Sequence, residues 1–270
     1  MPDQAANVLG QETETRLLAA LLPHTRKTFV DVGAERGALA RFLVDQGLRG
    51  TLFEPLPKHQ ETLTALAAAT GVRYLNFAVD QQDGKAEFHI ACDDTGKPLD
   101  FFHSLQPLKD DPRVHHRQTV PVVCRSLASL HAEGLVEREL GVLKIDTEGN
   151  DLRVLRGLGP VRADVVLCEF FTKGIYNGWT EAEPLGLIQF ARQLGYHHWV
   201  AVRRRGPAEL LSLNSLDFTE KEWGNLIFIA EPVFQAGWTA VSRVIAGSDD
   251  KLFSQLENGS KSKRRRWLRW

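Results

Sequence analysis

The stretch Phe29-Val30-Asp31-Val32-Gly33-Ala34-Glu35-Arg36-Gly37 joins an apolar run to an acid and two glycines. The apolar residues predict a β-strand that is buried on both faces of a parallel sheet. Gly33 and Gly37 allow the backbone to approach a ligand at positions where we expect a side chain to collide with it. A strand, a glycine turn and a helix in this order predict the nucleotide-binding edge of a doubly wound α/β fold.

The spacing of the two glycines argues against a dinucleotide ligand. The motif reads D-x-G-x-x-x-G, so it lacks the G-x-G-x-x-G fingerprint that places a glycine against a dinucleotide pyrophosphate. S-adenosylmethionine, which has no phosphate, fits better. Its carboxylate accepts hydrogen bonds from a glycine loop and a helix N-terminus, and its sulfonium cation tolerates nearby acids. A nicotinamide-dependent oxidoreductase and a non-catalytic nucleotide-binding module are the alternatives.

A second acid supports a nucleotide site. Glu54 and Pro55 follow an apolar run at residues 50–53 that predicts the next strand. An acid at the carboxyl end of the second strand of a doubly wound sheet accepts hydrogen bonds from both hydroxyls of a ribose. A third strand is predicted at residues 72–77, and Ala78 follows it at the position that usually faces an adenine ring.

Strands and helices alternate along most of the chain, which predicts an α/β fold with a doubly wound, mostly parallel sheet. Two strands at residues 85–91 and 119–123 are expected to form an inserted pair. Residues 196–202 and 225–230 predict two closing strands that include an antiparallel edge pair. Leucines at helical spacing predict a helix at residues 11–22, which we expect to cover the ligand-binding edge.

The length and composition indicate one large core. The chain has 270 residues, of which 43% are hydrophobic, so a second full domain is not expected. We predict an N-terminal helical cap at residues 1–27, one domain at residues 28–246, and a C-terminal helix with a basic aromatic tail at residues 247–270.

The charge distribution argues against a nucleic-acid partner. Residues 261–270 hold six basic residues and no acid, which leaves 27 basic against 34 acidic residues in the rest of the chain. An acidic body does not bind nucleic acid by charge. The tail itself combines basic residues with Trp267 and Trp270, a composition typical either of peripheral contact with an anionic membrane surface or of a solvated tail.

Cysteine usage and the N-terminus indicate a cytoplasmic protein. Cys92, Cys124 and Cys168 are widely separated and have no metal-ligand spacing, which favours a reducing compartment. Residues 1–22 lack the basic start and apolar stretch of a signal peptide, and no run of 18 apolar residues occurs.

Four stretches in register together resemble the FkbM family of S-adenosylmethionine-dependent methyltransferases. They are Asp31-x-Gly33-x-x-x-Gly37, Glu54-Pro55, Lys144-Ile145-Asp146-Thr147-Glu148-Gly149 and Leu152-Arg153-Val154-Leu155-Arg156-Gly157. The third stretch, with the helix that follows it, is rather particular to this family, whereas the first two are shared by class I methyltransferases in general. The resemblance covers about residues 28–230.

The resemblance implies a seven-stranded Rossmann-like sheet, S-adenosylmethionine as cofactor, and O-methylation of a hydroxyl on a sugar, glycan or polyketide. The expected cofactor-binding residues are Asp31, Gly33, Glu35, Gly37, Glu54, Pro55, Ala78 and Asp146. One departure is Glu35, because the family commonly has Asn in this turn. A carboxylate here cannot donate to the methionine carboxylate, but it can accept from the methionine ammonium group.

The candidate catalytic residues follow from the chemistry of methyl transfer. A sugar hydroxyl becomes a good nucleophile only as its proton is removed, so a base is expected at the carboxyl ends of the strands, where Asp146, Glu148 and Glu169 lie. Asp146 is the first choice for a position beside the sulfonium and the acceptor. Glu148 is either catalytic or an acid favoured by a helix N-terminus. His103 is a second candidate base, although a lone loop histidine is more often solvated.

Other residues near these acids have more ordinary interpretations. Asp151 is expected only to cap a helix, and Lys144, inside an apolar strand, must pair with an acid or reach water. Asp146, Glu148 and Asn150 could instead gather Mg²⁺, as in metal-dependent O-methyltransferases, but the resemblance requires no metal and none is assigned. The acceptor is expected to contact the loop at residues 92–118 and the aromatic segment at residues 170–182.

Overall fold

The computed structural model describes residues 12–99, 101–107, 114–174 and 180–248. The predictions for the tail at 261–270 and for part of the aromatic segment, at 175–179, lie outside these residues. The strands are β1 (Thr28–Val32), β2 (Arg49–Phe53), β3 (Arg73–Leu75), β4 (Ala78–Val79), β5 (Gly84–Cys92), β6 (His115–Arg125), β7 (Glu139–Ile145), β8 (Arg162–Phe171), β9 (His198–Arg205), β10 (Ala208–Leu213) and β11 (Trp223–Ile229). The α-helices are α1 (Glu12–Leu21), α2 (Ala38–Asp45), α3 (Pro57–Thr70), α4 (Leu127–Ala132), α5 (Asp151–Arg156), α6 (Pro184–Gln193) and α7 (Glu231–Ser248).

The main sheet confirms the expected α/β fold class. Its described strands have the order β10-β9-β11-β8-β7-β1-β2-β3, one more than the seven that the resemblance implies. Strands β3, β2, β1, β7 and β8 are parallel, and β11, β9 and β10 form the antiparallel edge. The chain runs outward from β1 through β2 and β3 and then returns to β7 on the other side of β1. This reversal opens a crevice at the carboxyl end of β1, where ligands bind in sheets of this kind.

The expected inserted pair is present as β5 and β6, and β4 joins it to form a second, three-stranded sheet. Its order is β4-β6-β5, with β4 parallel and β5 antiparallel to β6. The expected third strand at residues 72–77 is therefore too long, because β3 ends at Leu75 and the Phe77 N–H turns back to the Leu75 carbonyl. Ala78 then pairs with Cys124 of β6, so it belongs to the small sheet rather than to the end of β3.

Helices cover both faces of the main sheet, which explains the apolar run of β1. Val30 and Val32 pack with α4, α5 and α6 on one face, while Phe29 packs with α1, α2, α3 and α7 on the other. All five residues of β1 are buried. Strand β1 is thus fixed in the centre of the molecule, and its carboxyl end has a defined position.

Helix α1 lies on a face of the sheet, so the prediction that it covers the ligand-binding edge is wrong. Leu17, Leu18 and Leu21 are fully buried in the core that α1 shares with α7. This apolar stripe requires an apolar surface, which the sheet face provides and an open edge does not. The buried Glu14 fixes the first turn, because both its carboxylate oxygens accept hydrogen bonds from Arg204 at 2.7 and 2.8 Å.

Helix α7 was not expected at this position. It begins at Glu231, well before residue 247, and packs Val233, Val241 and Ile245 into the same core as α1. These apolar residues are separated by multiples of four positions, a helical spacing from which the sequence could have predicted α7. Among the described helices, none has the length and hydropathy needed to cross a bilayer.

Candidate active site

A cavity of about 720 Å³ lies at the carboxyl ends of β1, β2 and β7. We call it the edge cavity. The end of β8, the start of β11 and the small sheet complete its wall. Most residues expected at the site line it, namely Asp31, Gly33, Glu35, Glu54, Pro55, Ala78, His103, Asp146 and Glu148. No described residue of α1 does.

The protein's own packing requires glycine at positions 33 and 37, and the expected approach of a ligand to this loop stays a prediction. Both have positive φ angles, of 75° and 74°. A Cβ atom on Gly33 would lie 1.9 Å from the carbonyl oxygen of Asp146. A Cβ atom on Gly37 would lie 2.4 Å from Leu66 of α3, and Gly37 is not among the cavity residues. The glycines thus let the loop after β1 pack between β7 and α3.

Glu54 lies at the carboxyl end of β2 with its carboxylate held by two backbone amides. One oxygen accepts from the Leu56 N–H at 2.9 Å and the other from the Glu35 N–H at 3.0 Å. Burial raises the pKa of Glu54, and the two amide contacts oppose this shift. Each oxygen keeps a second acceptor position, so the carboxylate can still receive two hydroxyl groups.

Glu35 contacts Glu54 through its backbone N–H, whereas its side chain is partly exposed. Its φ angle is 49°, a left-handed conformation that directs its N–H to Glu54. The Glu35 carboxylate is 41% exposed and lies 3.5 Å from the Arg36 side chain. Its contact with the methionine ammonium remains a prediction.

Lys144 connects the acids of β1 and β7, as its position in an apolar strand predicts. Its Nζ lies 3.2 Å from Asp31 Oδ1 and 3.6 Å from Asp146 Oδ2, and it donates to the Gly33 carbonyl at 2.6 Å. Burial opposes the charged form, but the charges of Asp31 and Asp146 raise the pKa of Lys144, which stays protonated. Burial also raises the pKa of Asp31, while Lys144 lowers it.

Three carboxylates converge on the cavity beside Lys144. Asp146, Glu148 and Glu169, which we call the acid triad, each offer one oxygen, and these oxygens all lie within 4.8 Å of one another. Burial and then the charge of Asp146 raise the pKa of both Glu148 and Glu169. Burial and the charge of Asp146 thus favour the protonated forms of Glu148 and Glu169.

The main chain around the triad is fixed by hydrogen bonds from neighbouring loops. The Phe102 N–H donates to the Glu148 carboxylate, and Ser104 Oγ donates to the Glu148 carbonyl at 2.6 Å. Glu148 has a φ angle of 52°, a conformation that non-glycine residues adopt rarely. Such an outlier persists only where the surroundings enforce it, which is common at functional sites.

Asp151 and Asn150 differ from expectation. Asp151 is the first residue of α5 and not its cap, which is Asn150. Asp151 is fully buried, and its carboxylate accepts from Thr147 and from the Glu169 N–H, which joins the loop after β7 to β8. The Asn150 side chain donates to Asp80 at 3.2 Å and accepts from Gln106 at 3.4 Å. Asn150 therefore does not join Asp146 and Glu148, and the third carboxylate comes from β8.

His103 reaches the cavity wall, but both of its ring nitrogens have partners. Nδ1 accepts from the Ala91 N–H at 3.0 Å, and Nε2 lies 2.7 Å from Lys58 Nζ. Burial and the Lys58 charge lower the pKa of His103 to about 4, so the ring is neutral near pH 7. Proton transfer to this ring would require its contacts to be exchanged, which fits a positioning residue better than a general base.

Aromatic side chains form the outer wall of the cavity. Phe101, Phe102 and Phe171 were expected near the acceptor, whereas Trp223 was not. Trp223 begins β11, which is antiparallel to β8, and pairs with Phe171 at the end of β8. The start of an antiparallel strand therefore lies at the same edge as the ends of the parallel strands. Only the sheet order, which the sequence does not give, brings this residue to the site.

A family model matches the chain. The model described as the methyltransferase FkbM domain matches residues 31–197, more than half of the chain. The chain belongs to the FkbM methyltransferase family. It is therefore an S-adenosylmethionine-dependent methyltransferase, as the motifs after β1, β2 and β7 predict. No curated protein matches the chain significantly.

Solved structures of methyltransferases have weak overall similarity to this FkbM-family chain. Precorrin-6y C5,15-methyltransferase from Geobacter metallireducens GS-15 is 8% identical, with a TM-score of 0.43 over 86% of this chain and 94% of that one. Magnesium protoporphyrin IX methyltransferase from Synechocystis PCC 6803, with bound S-adenosylmethionine, is 8% identical, with a TM-score of 0.42 over 83% of this chain and 80% of that one. An rRNA methylase from Streptococcus thermophilus is 7% identical, with a TM-score of 0.39 over 78% and 92% of the two chains.

The edge cavity has the chemistry that S-adenosylmethionine requires. Asp31 is 1% exposed, and its Oδ2 accepts from no group in the described part of the chain. An ammonium group is a suitable donor for such a buried oxygen. The second acceptor positions of Glu54 suit the vicinal hydroxyls of a ribose, and the acid triad suits a sulfonium cation.

Proposed function

We propose that this methyltransferase transfers the methyl group to a hydroxyl oxygen of a sugar, a glycan or a polyketide-type acceptor. The observation that supports this most strongly is the acid triad, because an alcohol needs a base to accept its proton as the oxygen attacks. The aromatic wall beside the triad suits an acceptor with an apolar face, such as a sugar ring.

The cofactor is assigned to the half of the cavity formed by β1 and β2. Glu54 holds the ribose hydroxyls, Asp31 accepts from the methionine ammonium, and Pro55 and Ala78 border the adenine. Each of these residues lines the cavity at the carboxyl edge of the sheet. Lys144 forms a buried ion pair with Asp31, which opposes the rise of the Asp31 pKa that burial causes.

The acceptor is assigned to the half of the cavity between the acid triad and the aromatic wall. S-adenosylmethionine supplies a methyl carbon bonded to a positively charged sulfur. As the acceptor oxygen bonds to this carbon, the carbon–sulfur bond breaks and the sulfur keeps the electron pair. The hydroxyl proton passes to a carboxylate of the acid triad, and Asp146 lies beside the sulfonium. Most of the acceleration then comes from holding the oxygen in line with the methyl group.

The test is a methyl-transfer assay on the full chain. Methyl-labelled S-adenosylmethionine is offered with monosaccharides, oligosaccharides, lipid-linked glycans and polyketide alcohols, and products are analysed by mass spectrometry. We expect a labelled O-methyl ether and an equal amount of S-adenosylhomocysteine. Methylation only of a nitrogen or carbon atom, or of RNA, would contradict the proposal.

The assignment of the triad is tested by Asp146→Asn. We expect turnover to fall by about 100-fold or more, the effect of losing one group that stabilises charge in a transition state. The affinity for S-adenosylhomocysteine should change much less. Glu220→Gln, an exposed residue outside the cavity, is the matched control and should have the activity of the unsubstituted enzyme. Equal turnover in Asp146→Asn and the control would remove Asp146 from the reaction.

A further inference from the structure

With all three carboxylates ionised, the acid triad has more negative charge than its described neighbours balance. Three carboxylates share one small region, and Lys144 is the cation that forms an ion pair with one of them, Asp146. The same Lys144 ammonium also pairs with Asp31 and donates to the Gly33 carbonyl. Glu169 is buried and Asp146 and Glu148 are partly buried, so carboxylates at this spacing must bind protons or a cation, because like charges repel strongly away from water.

Two carboxylate oxygens of the triad are buried without a hydrogen-bond partner among the described groups. Glu169 is 8% exposed, and its Oε2 is buried without a hydrogen bond from any described group. Glu148 Oε2 is also buried without a hydrogen bond from any described group. Leaving a buried acceptor unsatisfied costs about 1–3 kcal/mol, and more if it is charged. Two such oxygens in one triad indicate a ligand that binds to carboxylates.

The spacing of the triad suits a divalent cation. Ca²⁺ binds oxygen atoms at about 2.3–2.6 Å, so two oxygens on opposite sides of the ion are about 5 Å apart, and around Mg²⁺ they are about 4 Å apart. The three triad oxygens lie within 4.8 Å of one another, inside this range. Ligand sets made only of carboxylate oxygens select Mg²⁺, Ca²⁺ or Mn²⁺ rather than Zn²⁺ or Cu²⁺.

The site is built into the fold and is not a chance group of surface acids. Glu169 comes from the parallel strand β8, and its N–H donates to the buried Asp151 at 2.9 Å. Asp151 also accepts from the Thr147 backbone and side chain, which fixes the loop that carries Asp146 and Glu148. Two separate elements thus bring the three carboxylates together before any ligand binds.

We propose that the acid triad binds a divalent cation of the Mg²⁺, Ca²⁺ and Mn²⁺ class. Asp146, Glu148 and Glu169 each give one carboxylate oxygen, and the remaining coordination positions face the edge cavity. An acceptor with two neighbouring oxygens fits these open positions. The use of the cation to hold the acceptor rests on the proposed function, whereas its binding to the triad does not.

The test is calorimetric titration of the chelator-treated full chain with Mn²⁺, Mg²⁺ and Ca²⁺, with and without S-adenosylhomocysteine. We expect one cation to bind per chain. Glu169→Gln and Glu148→Gln should each weaken this binding by at least tenfold, and Glu220→Gln should leave it unchanged. Two variants are used because either could fail to fold, which thermal unfolding monitored by circular dichroism would reveal.

Two results would overturn the proposal. One is no heat of binding for any of the three cations, either alone or with S-adenosylhomocysteine. The other is cation binding that is equal in the triad variants and in Glu220→Gln, because the ion would then lie elsewhere. Failure here is distinct from failure of the proposed function. A chain that methylates a hydroxyl at an equal rate with and without cation would refute the use of the cation to hold the acceptor, while the titration alone decides whether the triad binds it.

Discussion

The carboxylate of Glu54 has a fixed position, because the Leu56 and Glu35 amides hold one oxygen each. Glu54→Gln replaces one acceptor oxygen with a donor that cannot accept from a ribose hydroxyl. A hydrogen bond to a charged group contributes about 1.5–3 kcal/mol, so we expect the affinity for S-adenosylhomocysteine to fall by about 10- to 100-fold. Calorimetry measures this change. Glu61→Gln, exposed on α3, is the control, and equal affinity in the two variants would refute the ribose assignment.

His103 predicts a pH dependence of folding. Its folded pKa of about 4 lies below the ordinary value of 6.5, so the unfolded chain binds more protons between these two pH values. Stability from this group is therefore full above pH 6.5 and is lost as the pH falls towards 4. The cause is burial, together with the charges of Lys58 and His59 on α3 and of His116 on β6.

The variant His103→Asn isolates this dependence. Other groups titrate in the same window, so the comparison is between unfolding free energies of the two proteins, measured in urea at pH 6.5 and at pH 4.5. We expect the unsubstituted protein to lose more stability than His103→Asn over this interval. His24→Asn changes an exposed histidine and is the control. Equal losses in all three proteins would show that burial does not shift the His103 pKa.

For single residues, the sequence predicted the positions of the acids better than it predicted their contacts. Asp31, Glu54 and Asp146 lie at the carboxyl edge as predicted, because an acid in the last residues of a buried parallel strand or directly after it must lie there. Glu169 was expected at the carboxyl ends of the strands with Asp146 and Glu148, and it lies beside them. The magnesium alternative, which was not assigned, grouped Asn150 with these two acids, but Asn150 contacts Asp80 and Gln106 instead. Which of these groups meet depends on how β8 lies beside β7, a tertiary contact that local spacing does not contain.

The loop after β1 and the loop after β7 pack at backbone contact, which gives a prediction for Gly33. Gly33→Ala would place a Cβ atom 1.9 Å from the Asp146 carbonyl oxygen. Gly47 has a similar φ angle of 81°, but nothing lies within 4 Å of its Cβ position. Gly47→Ala thus incurs only the left-handed backbone penalty, about 1–2 kcal/mol. Gly33→Ala should lose at least about 2 kcal/mol more, in the range of overpacking effects.

Urea denaturation of both alanine variants measures this difference. The comparison separates the backbone conformation, which the two glycines share, from the steric contact, which only Gly33 has. If both variants lose the same stability, the loops do not approach as closely as described. We also expect Gly33→Ala to bind S-adenosylhomocysteine more weakly, because the shifted loop carries the Glu35 N–H away from Glu54.

At the level of elements, the sequence predicted strands and helices better than their partners. The parallel strands of the sheet centre were predicted because their apolar runs are strongly buried. Ala78–Val79 was assigned to the end of β3, since nothing local distinguishes a strand end from a two-residue strand in another sheet. The predicted position of α1 was wrong, because its leucine stripe shows that the helix packs against an apolar surface but does not show which surface this is.

For the molecule as a whole, topology explains why the site forms where it does. The chain reverses direction across the sheet at β1, and helices close both faces, so the carboxyl edge is the surface left open for ligands. The small sheet then covers part of this edge with the loop that carries Phe101, Phe102 and His103. The cofactor half of the cavity is built from motifs readable in the sequence. The acceptor half depends on the insertion and on β11, which explains why the sequence does not name the acceptor.

The most direct test of this account is a crystal structure of the full chain with S-adenosylhomocysteine. The account predicts the ribose hydroxyls on Glu54, the ammonium group on Asp31, and the sulfur facing the triad of Asp146, Glu148 and Glu169. A complex with the sulfur turned away from these carboxylates, or with the ligand outside the edge cavity, would contradict it.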